Sequence, residues 1–135
     1  MPLCSADLVL DRPLAAGAVF GGGRLIAPVA SGTFSGPRLS GRLAGSANAD
    51  WPVISADGHV AAIDARMCVQ THDGAIIFLT YTGRLLRGDT WTAYVAPVFE
   101  TGDASHQWLN SILAVGKGEF DSRLSSLHYD FFELR

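Results

Sequence analysis

The amino-acid sequence predicts an all-β protein, a single domain over residues 1–135 that forms one closed or nearly closed antiparallel β-barrel of about eight or nine strands. Turn signals recur at short intervals, and Asp57-Gly58 and Asp73-Gly74 favour hairpins because both central residues of a type I′ turn need positive φ. The segments between the turns are rich in β-branched and aromatic residues, and none has apolar residues at sustained helical spacing. A barrel is favoured over a sandwich because closure removes exposed strand edges. This chain has few charged residues that could prevent such edges from pairing with other molecules.

The turn signals set the bounds of the elements. They are, in chain order, Gly21-Gly22-Gly23, Ser35-Gly36-Pro37, Gly45-Ser46-Ala47-Asn48, Asp57-Gly58, Asp73-Gly74, Arg87-Gly88-Asp89, Gly102-Asp103 and Gly116-Lys117-Gly118. The strands predicted beside and between them are Leu8–Leu10, Leu14–Phe20, Arg24–Ala30, Arg38–Ala44, His59–Gln70, Ala75–Thr82, Trp91–Glu100, Trp108–Gly116 and Leu124–Leu134. The one helical candidate is a single turn near Ala104–Trp108.

The strand His59–Gln70 carries two opposite charges on one face, where Asp64 and Arg66 alternate with apolar neighbours on the other face. The next strand, Ala75–Thr82, is apolar on both faces, which is typical of a strand with neither face in open water. If its neighbour is covered in the same way, Asp64 and Arg66 lie inside the barrel or under another subunit. The alternative is an ion pair on the surface at an edge.

Composition excludes several classes of protein. The chain is 48% hydrophobic and only 17% charged, well below the roughly 25% of typical soluble domains, which excludes intrinsic disorder. The formal net charge of −3 provides no general basic field for nucleic acid. No apolar run approaches the roughly 20 residues of a membrane span, and Met1–Arg12 lacks the features of a secretory signal. We therefore expect a cytoplasmic protein in which Cys4 and Cys68 are reduced.

Sequence motifs for cofactors and metals are absent. The chain contains no GxGxxG, Walker loop, HExxH, GxSxG or CxxC, and its four histidines lack ligand spacing. We therefore predict neither a cofactor nor a metal, and we expect the partner to be a small hydrophobic or aromatic molecule.

Polar residues in apolar or aromatic surroundings are the candidates for a functional site. Burial raises the pKa of a carboxyl group towards neutrality while a neighbouring arginine lowers another, which suits acid/base chemistry. A structural role is the alternative for each residue: a turn cap, a solvated strand end or a core aromatic. The predicted catalytic residues are Asp50, Asp64, Arg66 and Glu100, and the predicted substrate-binding residues are Trp51, Phe78, Tyr81, Phe99, Trp108 and Asn110.

Six short motifs in order resemble the family catalogued as domain of unknown function 3237, over nearly the whole chain from about Leu14. This resemblance implies a compact antiparallel barrel of the lipocalin-like (calycin) kind, open at one end, and implies little about chemistry. The motifs are Gly32-Thr33-Phe34-Ser35-Gly36-Pro37-Arg38-Leu39-Ser40-Gly41, Ala49-Asp50-Trp51, Asp64-Ala65-Arg66, Asp73-Gly74-Ala75-Ile76-Ile77, Phe99-Glu100-Thr101-Gly102 and Trp108-Leu109-Asn110.

Three functions remain open from the sequence. The first is a cofactor-independent isomerase, cyclase or lyase, in which Asp64 or Asp50 is the base, Glu100 is the acid, and Arg66 and Asn110 hold an oxygen of an enolate-like transition state. The second is a carrier that binds the same kind of molecule unchanged, and the third is an assembly subunit with a filled core. The low charge density and the doubly apolar strand predict a homodimer in each case.

Overall fold

The computed structural model describes residues 1–135, which form eleven strands and one short 3₁₀ helix. All strand pairings are antiparallel, so the predicted all-β fold is confirmed. In chain order the elements are β1 (Pro2–Leu10), β2 (Leu14–Val19), β3 (Gly22–Ser35), β4 (Gly41–Leu43), β5 (Ala49–Asp50), β6 (Val53–Ile54), β7 (Val60–Gln70), β8 (Ile76–Arg87), β9 (Trp91–Glu100), the helix Ala104–Ser111, β10 (Ala114–Asp121) and β11 (Ser126–Glu133).

The strands close into an eight-stranded barrel. Around the wall the order is β1-β11-β10-β9-β8-β7-β4-β3, and β1 pairs with β3 to complete the ring. β5 and β6, like β4, each pair with β3 on one side and with β7 on the other. The three short strands β4, β5 and β6 therefore take the position of one long strand in the wall. β2 folds back on the start of β3 and lies outside this order. No helix of the structure has the length and apolar character needed to cross a lipid bilayer.

Alternation along each strand decides which side chains fill the barrel. On β7 every second residue from Ala61 to Val69 is buried, and the residues between them face outward. At one end of the barrel the inward residues are large and fully buried, and each contributes about 1.5–3 kcal/mol relative to an exposed position. They include Leu3, Leu39, Met67, Ile77, Leu79 and Phe99.

The 3₁₀ helix covers this filled end. Its Leu109 is fully buried, and the guanidinium of Arg38 lies 4.2 Å from the centroid of the Trp108 ring. Arg38 also forms an ion pair with Glu133, whose side chain is buried. The end near the helix is thus closed by packed side chains and by a charge pair that compensates the buried carboxylate.

The strand predicted over Trp108–Gly116 is wrong in its first half, since Trp108 belongs to the helix and the strand runs from Ala114 to Asp121. Gly116 and Gly118, which read as a turn, lie inside β10. An added Cβ would come within 2.6 Å of the Phe131 ring at Gly116 and of the Tyr129 ring at Gly118. These glycines therefore make room for aromatic rings of β11 instead of reversing the chain.

The strand predicted over Ala75–Thr82 has one covered face within the single chain, and a cover on its other face stays a prediction. Ile77, Leu79 and Tyr81 are buried inside the barrel, but Ile76 on the opposite face is 49% exposed. The outer wall of the single chain is therefore partly apolar. The predicted homodimer remains a prediction.

Gly116→Ala is expected to lower the free energy of unfolding by about 1–3 kcal/mol, because the new methyl group overlaps the Phe131 ring and approaches Val95. Urea denaturation followed by circular dichroism measures the change. Gly102→Ala is the matched control, since nothing lies within 4 Å of its added Cβ, and its effect should stay within about 0.5 kcal/mol. Equal stability of the two variants would contradict the close-contact interpretation.

His128 is expected to make the stability of the protein depend on pH. Its Nδ1 lies 2.7 Å from Asp7 Oδ1 and its Nε2 lies 3.2 Å from Asp130 Oδ1, and the hydrogen bond to Asp7 is the main reason that its pKa is raised. A raised folded-state pKa stabilises the fold fully below the unfolded value of about 6.5, and this stabilisation is lost as the pH rises through the folded value.

His128→Gln should therefore destabilise the protein at pH 5.5 by about 0.5 kcal/mol, the scale of exposed ion pairs, and should have little effect at pH 9. Chemical denaturation at the two pH values measures the difference. His72→Gln, at an exposed turn position, is the control and should show no such difference. A His128→Gln effect of the same size at both pH values would show that the ion pairs do not stabilise the fold.

Candidate active site

The end of the barrel opposite the helix contains an apolar cavity of about 290 Å³ that is open to solvent on one side. Most of its lining residues are hydrophobic, and they come from strands all around the barrel. The larger ones include Leu25, Ile63, Leu85, Trp91, Phe120 and Leu127. The predicted barrel open at one end is thus present, with the filled core below and a cavity above.

Two carboxyl groups belong to this lining, the exposed Asp11 and the more buried Asp50. Asp50 belongs to β5, where its Cα pairs with Ala27 of β3 on one side and with Ala65 of β7 on the other. Ala27 lines the same cavity and Ala65 is fully buried, as expected for cross-strand partners that share the inner face. The register of β5 therefore directs the Asp50 side chain inward.

The main chain around β5 is irregular, and Asn48 holds it in place. The Asn48 side chain is buried, donates hydrogen bonds to the carbonyls of Ala44 and Gly45, and accepts one from the N–H of Cys68 at 2.8 Å. This amide replaces part of the β-ladder between β4 and β5. It fixes the start of β5, and through it the position of Asp50.

The environment of Asp50 favours its protonated form. Burial raises the pKa of Asp50 to about 6, and the negative charge of Asp64 acts in the same direction. The N–H of Asp64 donates a hydrogen bond to Asp50 Oδ1 at 2.9 Å, which opposes the rise by stabilising the carboxylate. Asp50 thus titrates near neutrality, where a carboxyl group can both donate and accept a proton.

Two tyrosines lie on the inner face near Asp50. Tyr129 lines the cavity, and Tyr81 packs edge-on against it with ring centroids 5.4 Å apart. Tyr81 is opposite Ala65 on β8, so the small Ala65 separates it from Asp50 across three adjacent strands. Burial raises the pKa of both tyrosines, and the Asp50 charge adds to the shift. Both phenols therefore stay protonated at neutral pH.

Of the ten residues predicted for the site, only Asp50 lines the cavity, and Tyr81 packs behind it. Asp64 and Arg66 alternate with the buried residues of β7 and are exposed on the outer face, so the expected position inside the barrel is wrong. Glu100 is also exposed at the end of β9, and Phe78 is on the outer face of β8. These four side chains point away from the cavity.

Another three predicted residues lie at the closed end. Phe99 is part of the filled core, and Trp108 lies under Arg38. Asn110 binds Thr101 twice, accepting from its N–H and donating to its carbonyl, both at 2.8 Å. All three therefore lie at the end opposite the cavity.

Trp51, the last of the predicted residues, is half-buried and does not line the cavity. Its N–H donates to the Asp64 carbonyl at 2.9 Å, and its carbonyl accepts from Arg24 at 2.6 Å. These bonds attach the chain after Asp50 to β7 and β3.

Sequence reasoning missed Tyr129 and Phe120 as lining residues, whereas Trp91, which the sequence suggested as a cavity wall, does line the cavity. A signal for Tyr129 exists in the strand Leu124–Leu134, where Leu127, Tyr129 and Phe131 alternate with the polar His128 and Asp130. That pattern identifies the inner face of β11. Nothing in the sequence separates mouth residues from core residues, because both are apolar and inward.

The structure brings together no group of three or more His, Cys, Asp or Glu side chains that could hold a metal ion.

Comparison with known proteins connects the chain to an enzyme. It is 31% identical over 98 residues to the hydroalkoxylation enzyme phnH of Penicillium herquei, a match that covers 73% of this chain and 59% of that relative. The matched region is thus less than two thirds of the length of the relative.

Two solved structures share the fold. A β-barrel-like protein from Acinetobacter baumannii has a TM-score of 0.90 and 28% sequence identity, covering 99% of this chain and 94% of the other. An enzyme from Penicillium herquei has a TM-score of 0.73 and 23% identity, covering 98% of this chain and 92% of the other. The family described as protein of unknown function DUF3237 has a model that matches residues 1–134, and this chain belongs to that family.

Proposed function

We propose that this protein is a cofactor-independent acid/base enzyme that rearranges or cyclises a small, largely hydrophobic, ring-containing molecule inside the barrel. The observation that carries this proposal is the part-buried carboxyl group of Asp50, which lines a largely apolar cavity and whose pKa is raised to about 6. An acid whose pKa lies near the operating pH transfers protons efficiently in both directions. A relative that is a hydroalkoxylation enzyme supports the proposal.

Hydroalkoxylation, the addition of an O–H group across a carbon–carbon double bond, is the reaction that we propose. Asp50 donates its proton to one alkene carbon, and an oxygen of the same molecule bonds to the other carbon. The π bond is consumed, a C–O bond forms, and the proton of the hydroxyl returns to the Asp50 carboxylate. The product is an isomer of the substrate, so the step needs no oxidant, reductant or co-substrate.

Tyr129 has a second role in this proposal, which is to orient the ligand. Its hydroxyl is on a residue that lines the cavity with Asp50, and it stays protonated at neutral pH. It can therefore donate a hydrogen bond to an oxygen of the ligand. Tyr81, packed edge-on against Tyr129, fixes the orientation of that ring and is a positioning residue.

The proposal is tested by comparing a metabolite extract before and after incubation with the protein, using mass spectrometry. We expect one compound to decrease while an isomer of the same mass increases, and we expect no such conversion with Asp50→Asn. A carrier would instead return its ligand unchanged when the protein is denatured. That result would replace the enzyme with the binding function.

Asp50→Asn is expected to lower turnover by at least about 100-fold, because the amide cannot donate an acidic proton. The assay follows cyclisation of ortho-methallylphenol, whose protonation gives a tertiary cation beside a hydroxyl. Asp64→Asn is the comparison, since this side chain is exposed on the outer wall and only its main chain contacts Asp50. Equal losses in the two variants would contradict the assignment of Asp50 as the acid.

The stability of Asp50→Asn shows whether the variant folds. A buried carboxyl whose pKa is raised from about 3.9 in the unfolded chain makes the fold less stable as the pH rises through about 6. Replacement by the neutral amide should therefore raise the free energy of unfolding by about 1–3 kcal/mol at pH 7.5 and change it little at pH 4. A variant that is stable but inactive assigns the loss to chemistry.

The pH dependence of kcat/KM distinguishes an acid from a base at Asp50. If the protonated carboxyl starts the reaction, kcat/KM falls as the pH rises through about 6. The other ionisable groups near Asp50 are Tyr81 and Tyr129, which stay protonated over this range, the outward-facing Asp64, whose charge acts in the same direction, and Asp11 of the cavity lining. A value of kcat/KM that increases through pH 6 would show that Asp50 acts first as a base.

A further inference from the structure

The charged side chains that line the cavity are both acidic. Its lining contains two carboxyl side chains, Asp50 within the cavity and Asp11, and it contains no Lys, Arg or His. Arg66, the cation that the sequence placed near a ligand oxygen, is exposed on the outer wall, and Arg38 pairs with Glu133 at the closed end. A negative charge in this cavity would meet repulsion and no cationic partner.

The aromatic walls favour the same sign of ligand charge. Trp91, Phe120 and Tyr129 line the cavity, and the face of an aromatic ring attracts a cation through its quadrupole. Trp91 already interacts in this way, since the guanidinium of Arg87, which does not line the cavity, lies 5.5 Å from its ring centroid. The aromatic residues of the cavity lining are therefore suited to a ligand with a positive charge.

The volume limits the ligand to a small ring system. An engineered apolar protein cavity of about 150 Å³ accepts benzene, and this cavity of about 290 Å³ has roughly twice that volume. A molecule of about two fused six-membered rings matches it.

We propose that the cavity is selective for positive charge: it binds bicyclic aryl-alkyl ammonium compounds, and its reaction passes through a carbocation and not an enolate. This inference rests on the proposed function for its second part. In that reaction the O–H bond of Asp50 breaks, and the alkene π electrons bind the proton. The adjacent carbon becomes cationic between the Asp50 carboxylate and the aromatic faces. An oxygen lone pair then forms the C–O bond and the oxygen returns its proton to Asp50.

The test uses three probes on one frame: naphthylmethylamine, which is a cation at neutral pH, neutral naphthylmethanol and anionic naphthoate. Isothermal titration calorimetry at pH 7.5 measures their affinities for the full-length protein. We expect the amine to bind at least about 10-fold more tightly than the alcohol, and the alcohol at least about 10-fold more tightly than the carboxylate. In Asp50→Asn the advantage of the amine over the alcohol should fall below about threefold.

Asp89→Asn is the control for net charge, because this exposed aspartate lies in the turn between β8 and β9 and does not line the cavity. It should keep the full preference for the amine. Binding of the carboxylate as tightly as the amine, an amine preference that survives in Asp50→Asn, or failure of all three probes to bind would overturn the inference.

The two proposals can fail separately. Selective binding of the amine without cyclisation of ortho-methallylphenol would retain the cation site and reject the enzyme. Cyclisation that depends on Asp50, with no preference for the amine, would retain the enzyme and reject the cationic route. The amine should also inhibit cyclisation competitively if both proposals hold.

Discussion

The wall of the barrel is completed between β3 and β7 by three short strands in place of one long strand, and the site depends on this break. A continuous strand would have to use every backbone group in the ladder. Here the buried Asn48 takes over part of that pairing, and the Asp50 carboxyl accepts the N–H of Asp64. The chain can therefore place an acidic side chain on an inner face that is otherwise apolar.

The two ends of the barrel differ because of side-chain volume. Large residues and the helix cover one end, where the Arg38–Glu133 pair compensates the only other inward carboxylate of the wall strands. At the other end small residues such as Ala27 and Ala61 leave the space unfilled. One carboxyl thus has a cation and a low pKa, and the other has no cation and a raised pKa. A carboxyl side chain thus forms a structural ion pair at one end, and another is the proposed acid at the other end.

The fold could be predicted from the sequence because turn residues and β-rich composition are local signals. Closure of the sheet into a barrel was predicted because the chain has few charged residues to protect open strand edges. The site was predicted only in part. Asp50 was identified, but Asp64 and Arg66 were expected inside the barrel or under another subunit, and the alternation along β7 places them on the outer face. Gly116 was misread because a strand glycine under an aromatic ring has no local signature.

The chemistry of the cavity follows from the position of its charges more than from their identity. The sequence contains enough arginine and amide side chains for an oxyanion site, and this made an enolate mechanism reasonable. In the structure Arg66 is on the outer wall and Asn110 is bound to Thr101, so neither reaches the ligand space. A cavity with an acid, aromatic faces and no cation lowers the energy of positive charge and raises that of negative charge. Such surroundings therefore stabilise a reaction that begins with protonation of the substrate, and not one that begins with its deprotonation.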